Sequence, residues 1–424
     1  MSKYESIFHD VISITHHDYA GYLDKNGWDQ PELFLMKIKE LELQNKLTPS
    51  LFAEIVQDYL VDFKDNHMFF KFRTNKDQKQ LDNGFKVRRF NQKLYITEVI
   101  SERRINIGDA IVSLNQIPIL ELREKHKRIL SENSSERENW KPVVKQYSMA
   151  EVETKEGNRT YLNLKQYEKA TYRPKYRVEQ IKEGIILITI TDFMNPDQIE
   201  KLVQDFRNDL DQSKALIIDV RINKGGSDSS FYCLLPYIFD ESAIDLSKID
   251  FKVFYNCTER NYKLIMKDFQ NSLESIESET YREVVKLIVR EWNRNKGKGF
   301  VQFDFAELKN NTVINGRKNP KQVIVLSDVY CGSAGDSFVE ICKMSPKVKV
   351  IGRPTAGLND YANLTVMSWD DMFELWYPTS KLSIVDEGKG MSGKGIQPDI
   401  YIAWTPEHLT KDVDLEFALS MIEK

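Results

Sequence analysis

The sequence predicts an α/β protein of more than one domain, and three observations carry that prediction. Two segments about a hundred residues apart each open with a run of Leu, Ile and Val. They are L-I-I-D-V-R-I-N-K-G-G-S (Leu216 to Ser227) and V-I-V-L-S-D-V-Y-C-G-S-A-G-D-S-F (Val323 to Phe338). Such runs are too short for helices and apolar enough for strands buried on both faces, as in a parallel sheet. Apolar residues at helical spacing lie before and between them, so strands and helices alternate. Finally, 424 residues exceed one compact core, and two or three domains follow.

Taken in order, the first seventy or so residues read as helical. Leu33, Phe34, Ile38 and Leu41 recur at helical spacing, as do Phe52, Ile55, Val56 and Tyr59. The segment closes at Asp65-Asn66-His67, and Met68 to Phe72 reads as a strand. From about Gly84 the pattern turns to short strands, Leu94–Thr97 and Ala110–Leu114, separated by Ile107-Gly108-Asp109. A core begins near Gly184 with the strand Ile185–Ile190, which leads to Phe193. Ile199 to Leu210 has helical spacing and crosses over to the Leu216 strand, a βαβ unit. Between the two glycine-ended strands, Leu264, Met266, Phe269, Leu273, Ile276, Val284, Val285, Ile288 and Trp292 predict long amphipathic helices ending before Asn295 to Gly299. A helical layer over the sheet is the plain expectation, and a lid or dimer contact the sharper one. Phe338, Val339, Ile341 and Cys342 continue the second glycine turn as a helix.

Composition excludes several classes. With 41% hydrophobic and 29% charged residues the chain is of ordinary globular make-up, and its formal charge of −4 gives no reason to expect nucleic acid or an anionic membrane as partner. The start, M-S-K-Y-E-S-I-F-H-D, lacks a basic and then apolar leader, and no run approaches eighteen apolar residues. Cys233, Cys257, Cys331 and Cys342 have no metal-ligand spacing, so free thiols and a cytoplasmic location are expected. No His, Cys and Asp cluster calls for a metal, and no cofactor is expected. Neither Lys296–Gly299 nor Gly388–Gly395 has the G-K-[ST] of a phosphate loop.

The chemistry concentrates at the two glycine turns. Parallel strands ending in Gly225-Gly226 and in Gly332-Ser333-Ala334-Gly335 bring backbone N–H groups and one hydroxyl to the same sheet edge. That edge suits an oxyanion hole and a nucleophile. Ser333 lies where strand gives way to helix, so the helix N-terminus favours a developing oxyanion by about 1 kcal/mol. The N–H of Ala334 with that of Gly226 or Gly225 supplies more, since losing one such donor costs about 3 kcal/mol of barrier. The plainer alternative is that Ser333 caps the helix and the glycines only turn the chain. A serine acting at neutral pH needs a base as well.

These residues resemble the S41 peptidases, the tail-specific and tricorn-core serine proteases. Asp219 to Gly226 matches D-x-R-x-N-x-G-G, and Ser333 to Asp336 matches S-A-G-D/E. Asp65-Asn66-His67 is similar to the D-x-H of the tricorn-like branch. Gly352 to Gly357 resembles G-x-x-T-x-G, and Gly395 to Ile400 resembles G-[IV]-x-P-D-[IV]. The phrase I-G-D-A-I-V-S-L-N-Q-I-P-I (Ile107 to Ile119) looks like a PDZ motif, with Gln116 in place of the usual turn glycine. Together the matches span roughly residues 60–405.

The resemblance implies a ClpP/crotonase-like core over residues 175–424 with a helical insertion at about 235–315. It also implies a PDZ-like β domain over 81–170, which binds a peptide as an added strand or merely packs and gates, after a helical N-terminal domain over 1–80. The lysine of the tail-specific branch falls at Leu358, which takes no proton, so the base implied is His67. The tricorn-like site orients its histidine through a serine and a glutamate whose places hold Asn66 and Ser392. That polar pair, or Asp65, Asp386 or Glu387, is then expected to hold the imidazole. Arg221, Asn223 and Asp219 are read as scaffold for the glycine loop. The reaction implied is amide hydrolysis through a Ser333 acyl-enzyme, on peptides or unfolded protein segments. S41 relatives often assemble, which puts a homo-oligomer among the expectations. Two other classes compete: a silent S41-like peptide-binding protein, and a crotonase-type acyl-CoA enzyme on the same kind of core. An α/β-hydrolase is disfavoured, because Cys331 stands where the first glycine of G-x-S-x-G falls in Tyr330-Cys331-Gly332-Ser333-Ala334-Gly335.

Overall fold

The structure, a computed structural model of the chain, describes residues 1–73, 80–130, 132, 134–241, 244–246, 252–272, 279–307 and 313–423. Leu273 and Ile276 of the expected amphipathic helices lie outside the described residues. The chain forms two compact units, one of Met1–Arg73, Ile244–Ile314 and Leu358–Ser392, the other of Thr74–Ala243, Asn315–Gly357 and Gly393–Lys424.

The second unit contains both glycine-ended strands. Its main sheet runs Tyr176–Lys182, Ile185–Ile190, Ala215–Asp219, Gln322–Ser327, Val348–Gly352, Ile400–Tyr401, with the first pair antiparallel and the rest parallel. These strands are Ile- and Val-rich because both faces are covered, as parallel sheets require. On one face Ile217, Ile324 and Leu326 pack with Ala418 of the helix Val413–Ile422. Elsewhere in the unit the rings of Phe193, Phe231 and Phe338 interlock with centroids 5.3 to 5.5 Å apart. The crossover expected over Ile199 to Leu210 consists of two helices, Pro196–Asp205 and Arg207–Gln212. Asn195 caps the first by accepting the Gln198 N–H at 3.1 Å.

The same unit holds an antiparallel sheet of Phe85–Phe90, Lys93–Val99, Ala110–Leu114, Met149–Glu153 and Arg159–Asn163, packed around Trp140, Leu94, Ile111 and Leu122. Ala110–Leu114 turns back onto Ile117–Pro118 through Asn115 (φ 46°) and Gln116 (φ 67°). Two positive φ values in a two-residue loop define a type I′ turn, which explains why glycine is usual where Gln116 stands. Arg88 of this sheet makes a paired bond to Asp328, at 2.9 and 2.8 Å, in the loop that follows Gln322–Ser327.

In the first unit the helices Lys3–Ser13, Pro31–Leu43 and Pro49–Leu60 pack on a second, antiparallel sheet. Its strands are Phe69–Phe72, Phe373–Leu382, Val253–Cys257 and Gly299–Gln302, with Tyr361–Trp369 also paired to Phe373–Leu382. Thr48 caps Pro49–Leu60 by accepting the Leu51 N–H, and Phe52, Ile55, Val56 and Tyr59 are buried as their spacing predicts. Leu33 is not: it is 59% exposed, and Phe34 and Ile38 carry the buried face of their helix.

Two boundaries differ from the sequence reading. The helices Glu259–Ser272 and Glu279–Asn295 pack Tyr262, Met266, Phe269, Ile288 and Trp292 against Cys257 and Phe303, so the layer they form covers strands of the first unit. Residues 358–392, read as part of one continuous core, also belong to that unit. The reason is strand pairing: Phe69–Phe72 takes Phe373–Trp376 as its partner, about three hundred residues along the chain, which periodicity does not reveal.

Candidate active site

Register places the loops after Ala215–Asp219 and Gln322–Ser327 side by side, since Asp219 pairs with Leu326 where both strands end. Asn223 binds the two loops together. Its backbone carbonyl accepts the Gly332 N–H at 3.0 Å, and its side-chain oxygen accepts the Gly225 N–H at 2.9 Å. Its amide nitrogen donates to the Ile190 carbonyl at 3.0 Å, and the whole residue is buried.

Gly225 (φ +76°) sits directly against the serine, for a Cβ placed there would lie 2.5 Å from Ser333 Cβ and 2.8 Å from the Gly332 carbonyl. Its N–H is taken by Asn223, which removes Gly225 from the oxyanion donors named above. Gly226 differs. Phe193 donates to the Gly225 carbonyl at 2.7 Å and accepts the Ser227 N–H at 2.9 Å. A trans peptide sets each N–H opposite the preceding carbonyl, so the Gly226 N–H points away from Phe193. Among the described residues, neither it nor the N–H of Ala334 meets a hydrogen-bond acceptor.

Ser333 precedes the helix Ala334–Cys342 with φ 59° and ψ −123°, a backbone conformation that costs a non-glycine residue about 1–3 kcal/mol. Its N–H donates to Asp336 Oδ2 at 2.8 Å, while Asp336 Oδ1 accepts the Gly357 N–H at 2.8 Å. Asp336, fully buried, therefore fixes the turn that presents the serine. Sequence reasoning assigned it no part, although an acidic residue three positions after a helix-capping serine is a recognisable signal. Burial and then Asp336 push the Cys331 thiol well up, which disfavours its reactive thiolate form.

Arg221 bonds to Asp219 (2.9 and 2.7 Å), Asp412 (2.7 Å) and Asp414 (3.1 Å). Asp414 also receives Arg353, at 2.6 and 2.7 Å, and Arg353 in turn bonds to Asp328. An ionic chain thus backs both loops. Burial alone would raise the Asp328 carboxyl, but Arg88 and Arg353 hold it below the usual range.

His67 belongs to the first unit and is buried. Its backbone N–H donates to Asp65 Oδ1 at 2.9 Å. Its ring Nδ1 lies 2.7 Å from the carbonyl oxygen of Tyr361. A carbonyl only accepts, so Nδ1 is the donor, and Nε2 is the ring nitrogen left for another partner. Neither Asn66 nor Ser392 holds the imidazole, contrary to the expectation. Asn66 is exposed, and Ser392 gives its backbone N–H to Asp360 Oδ2 at 2.7 Å. Asp386 pairs with Lys381 and Glu387 with Lys389. A backbone carbonyl has no side-chain signature, which is why the sequence did not disclose Tyr361.

Among the described residues, no group of His, Cys, Asp and Glu is placed to hold a metal ion, and no helix is long and apolar enough to cross a membrane. The sequence has no match among curated proteins. The fold is similar to that of mature CPAF complexed with lactacystin, with a TM-score of 0.68 at 13% identity over 99% of this chain and 97% of that one. Mature CPAF in a second structure gives 0.66 at 12% identity, over 99% and 96%. The photosystem II D1 C-terminal processing protease gives 0.48 at 12% identity, over 100% and 98%. The sequence model of peptidase family S41 matches residues 184–402, a stretch that runs from the Ile185–Ile190 strand through both glycine loops to the Ile400–Tyr401 strand. The chain belongs to peptidase family S41.

Proposed function

We propose that the chain is a serine peptidase that hydrolyses peptide bonds in unfolded segments or short peptides, with Ser333 as nucleophile and His67 as general base. The observation that carries this reading is the turn at Ser333: a strained serine at a helix start, with the unaccepted N–H groups of Ala334 and Gly226 beside it. In the proposed reaction Ser333 Oγ bonds to the substrate carbonyl carbon as its proton passes to His67 Nε2. The tetrahedral oxyanion takes the Ala334 and Gly226 N–H groups. Collapse breaks the C–N bond, with the proton returned from His67 to the leaving amine, and water then cleaves the ester by the same route. Asn223, Arg221 and Asp219 keep the loop in shape, and Asp65 steadies His67. The tricorn-like branch is supported by the histidine in D-x-H and by Leu358 at the lysine position.

The parallel sheet supports a ClpP/crotonase-like core, and the 85–163 sheet a PDZ-like module whose edge strand Arg159–Asn163 suits an added peptide. A cytoplasmic setting rests on the four free cysteines. One observation favours a second reading, a silent peptide-binding relative: the imidazole is backed by a carbonyl where a carboxylate would better stabilise the imidazolium. Fluorophosphonate labelling read by intact mass decides between them. One adduct on wild type, lost in Ser333→Ala and strongly slowed in His67→Ala, is expected. No adduct on folded wild type across a range of pH would favour the silent relative.

A further inference from the structure

We infer that Asp65, clamped by Tyr19 and Lys25, is a positioning residue for the His67 base and takes over the support that an acid bonded to the imidazole would give. This rests on the reading of His67 as base.

The two carboxylate oxygens of Asp65 have separate duties. Oδ1 accepts the backbone N–H of His67 at 2.9 Å, and Oδ2 accepts the Tyr19 hydroxyl at 2.6 Å. The Tyr19 oxygen in turn accepts from Lys25 Nζ at 2.8 Å. Lys25 Nζ lies 3.9 Å from Asp65 Oδ2 and 4.4 Å from the centre of the Tyr361 ring. Tyr361 is the residue whose carbonyl holds the imidazole proton. One buried ammonium therefore touches both anchors of His67, the carboxylate on its backbone and the tyrosine on its ring.

Tyr19 is fully buried and Lys25 only 5% exposed. Ammonium groups are expensive to bury, and core packing alone does not call for one here. Burial lowers the Lys25 pKa more than Asp65, Asp360 and Asp24 raise it, so the lysine sits in this place at a net electrostatic cost. The chain around it is built to the same end. Gly21 has no room for a side chain, since a Cβ there would lie 2.5 Å from the Tyr19 ring. The Tyr361 hydroxyl is tied to Asp24 at 3.1 Å, next to Lys25 in sequence. With a neutral carbonyl as its ring partner, His67 depends on position, and this cluster supplies position.

The test uses the full chain and the rate of fluorophosphonate labelling. Tyr19→Phe keeps the ring and removes one hydroxyl, and Asp65→Asn and Lys25→Met complete the set. Each is expected to slow labelling by about 10- to 100-fold, the effect of a small misplacement of a reacting group. Half-saturation by a reversible peptide inhibitor is expected to stay unchanged. In a His67→Ala background the same substitutions should slow labelling no further, because they act through that imidazole; a general structural defect would slow both backgrounds. If His67→Ala is slow while Tyr19→Phe and Asp65→Asn label like wild type, the inference falls and the base reading stands. If the slowing persists without His67, the inference also falls. If His67→Ala itself labels like wild type, it is the reading of His67 as base that fails.

Discussion

Replacing Gly225 by alanine tests the proposed nucleophile loop most directly, because the added methyl has nowhere to go. Its carbon would lie 2.5 Å from Ser333 Cβ, 2.8 Å from the Gly332 carbonyl and 3.1 Å from the Ala334 nitrogen. Carbon atoms rest at about 3.5–4.0 Å, so the serine must retreat by about 1 Å. A displacement of that size costs about 100-fold in rate. Stability falls for two reasons: a left-handed conformation costs alanine about 1 kcal/mol, and overpacking costs about 1–3 kcal/mol. The backbone part is isolated by Gly157→Ala, since Gly157 has φ +86° with no atom within 4 Å of its would-be Cβ. Labelling with a fluorophosphonate and urea unfolding should be measured on both variants. Gly157→Ala should lose about 1 kcal/mol at most and label normally, as the stiffer unfolded chain offsets part of the strain. Gly225→Ala should label about 100-fold more slowly. A Gly225→Ala protein that labels within about threefold of wild type would refute the placement of Ser333 against that glycine.

Ser333→Gly should abolish labelling yet raise stability by about 1 kcal/mol in urea unfolding, because glycine accepts φ 59° without strain, whereas Ser333→Ala should not stabilise. Acid should weaken the second unit. Burial raises the Asp414 carboxyl, but His408, Arg353 and Arg221 outweigh it and hold it low, as Arg88 and Arg353 do for Asp328. Folded values below the unfolded ones mean that this stability is complete above about pH 4 and is lost as pH falls through the folded values. Urea midpoints from neutral pH to pH 2 should decline at the acid end, and an Asp414→Asn protein should show a shallower decline. At neutral pH Asp414→Asn should cost about 3–5 kcal/mol, since Arg353 is left buried with one partner fewer. Gln116→Gly should leave labelling unchanged and raise the melting temperature slightly, because it relieves a left-handed residue in a type I′ turn.

What the sequence disclosed and what it withheld divide along one physical line. The parallel strands were legible in Leu216–Asp219 and Val323–Ser327 because burial on both faces leaves an unbroken apolar run. The helix Pro49–Leu60 was legible because Phe52, Ile55, Val56 and Tyr59 fall on one face. The hairpin of Tyr361–Trp369 and Phe373–Leu382 was not placed, since its partner Phe69–Phe72 is remote in sequence and no local period reports on pairing. At the site the same line holds. Ser333, Ala334 and Gly226 announce themselves through small residues at a strand end, whereas the group that meets the His67 ring is a backbone carbonyl, which every residue possesses.

The strain at Ser333 and the bonds around it are two sides of one arrangement. A serine left to itself relaxes from φ 59° into an ordinary helix cap. Here the relaxation is blocked from three directions. Asp336 holds the Ser333 N–H and the Gly357 N–H with its two oxygens, and so joins the start of the helix to the loop after Val348–Gly352. Asn223 holds Gly332 from the neighbouring strand. Arg353 and Arg88 grip Asp328 at the foot of the same loop, and Arg353 passes the restraint on to Asp414 and so to Arg221. Every one of these restraints acts on the backbone or on a residue other than Ser333. These restraints hold the backbone of Ser333 and its neighbours, which is why loss of the hydroxyl should leave them standing, whereas a methyl at Gly225 should disturb them.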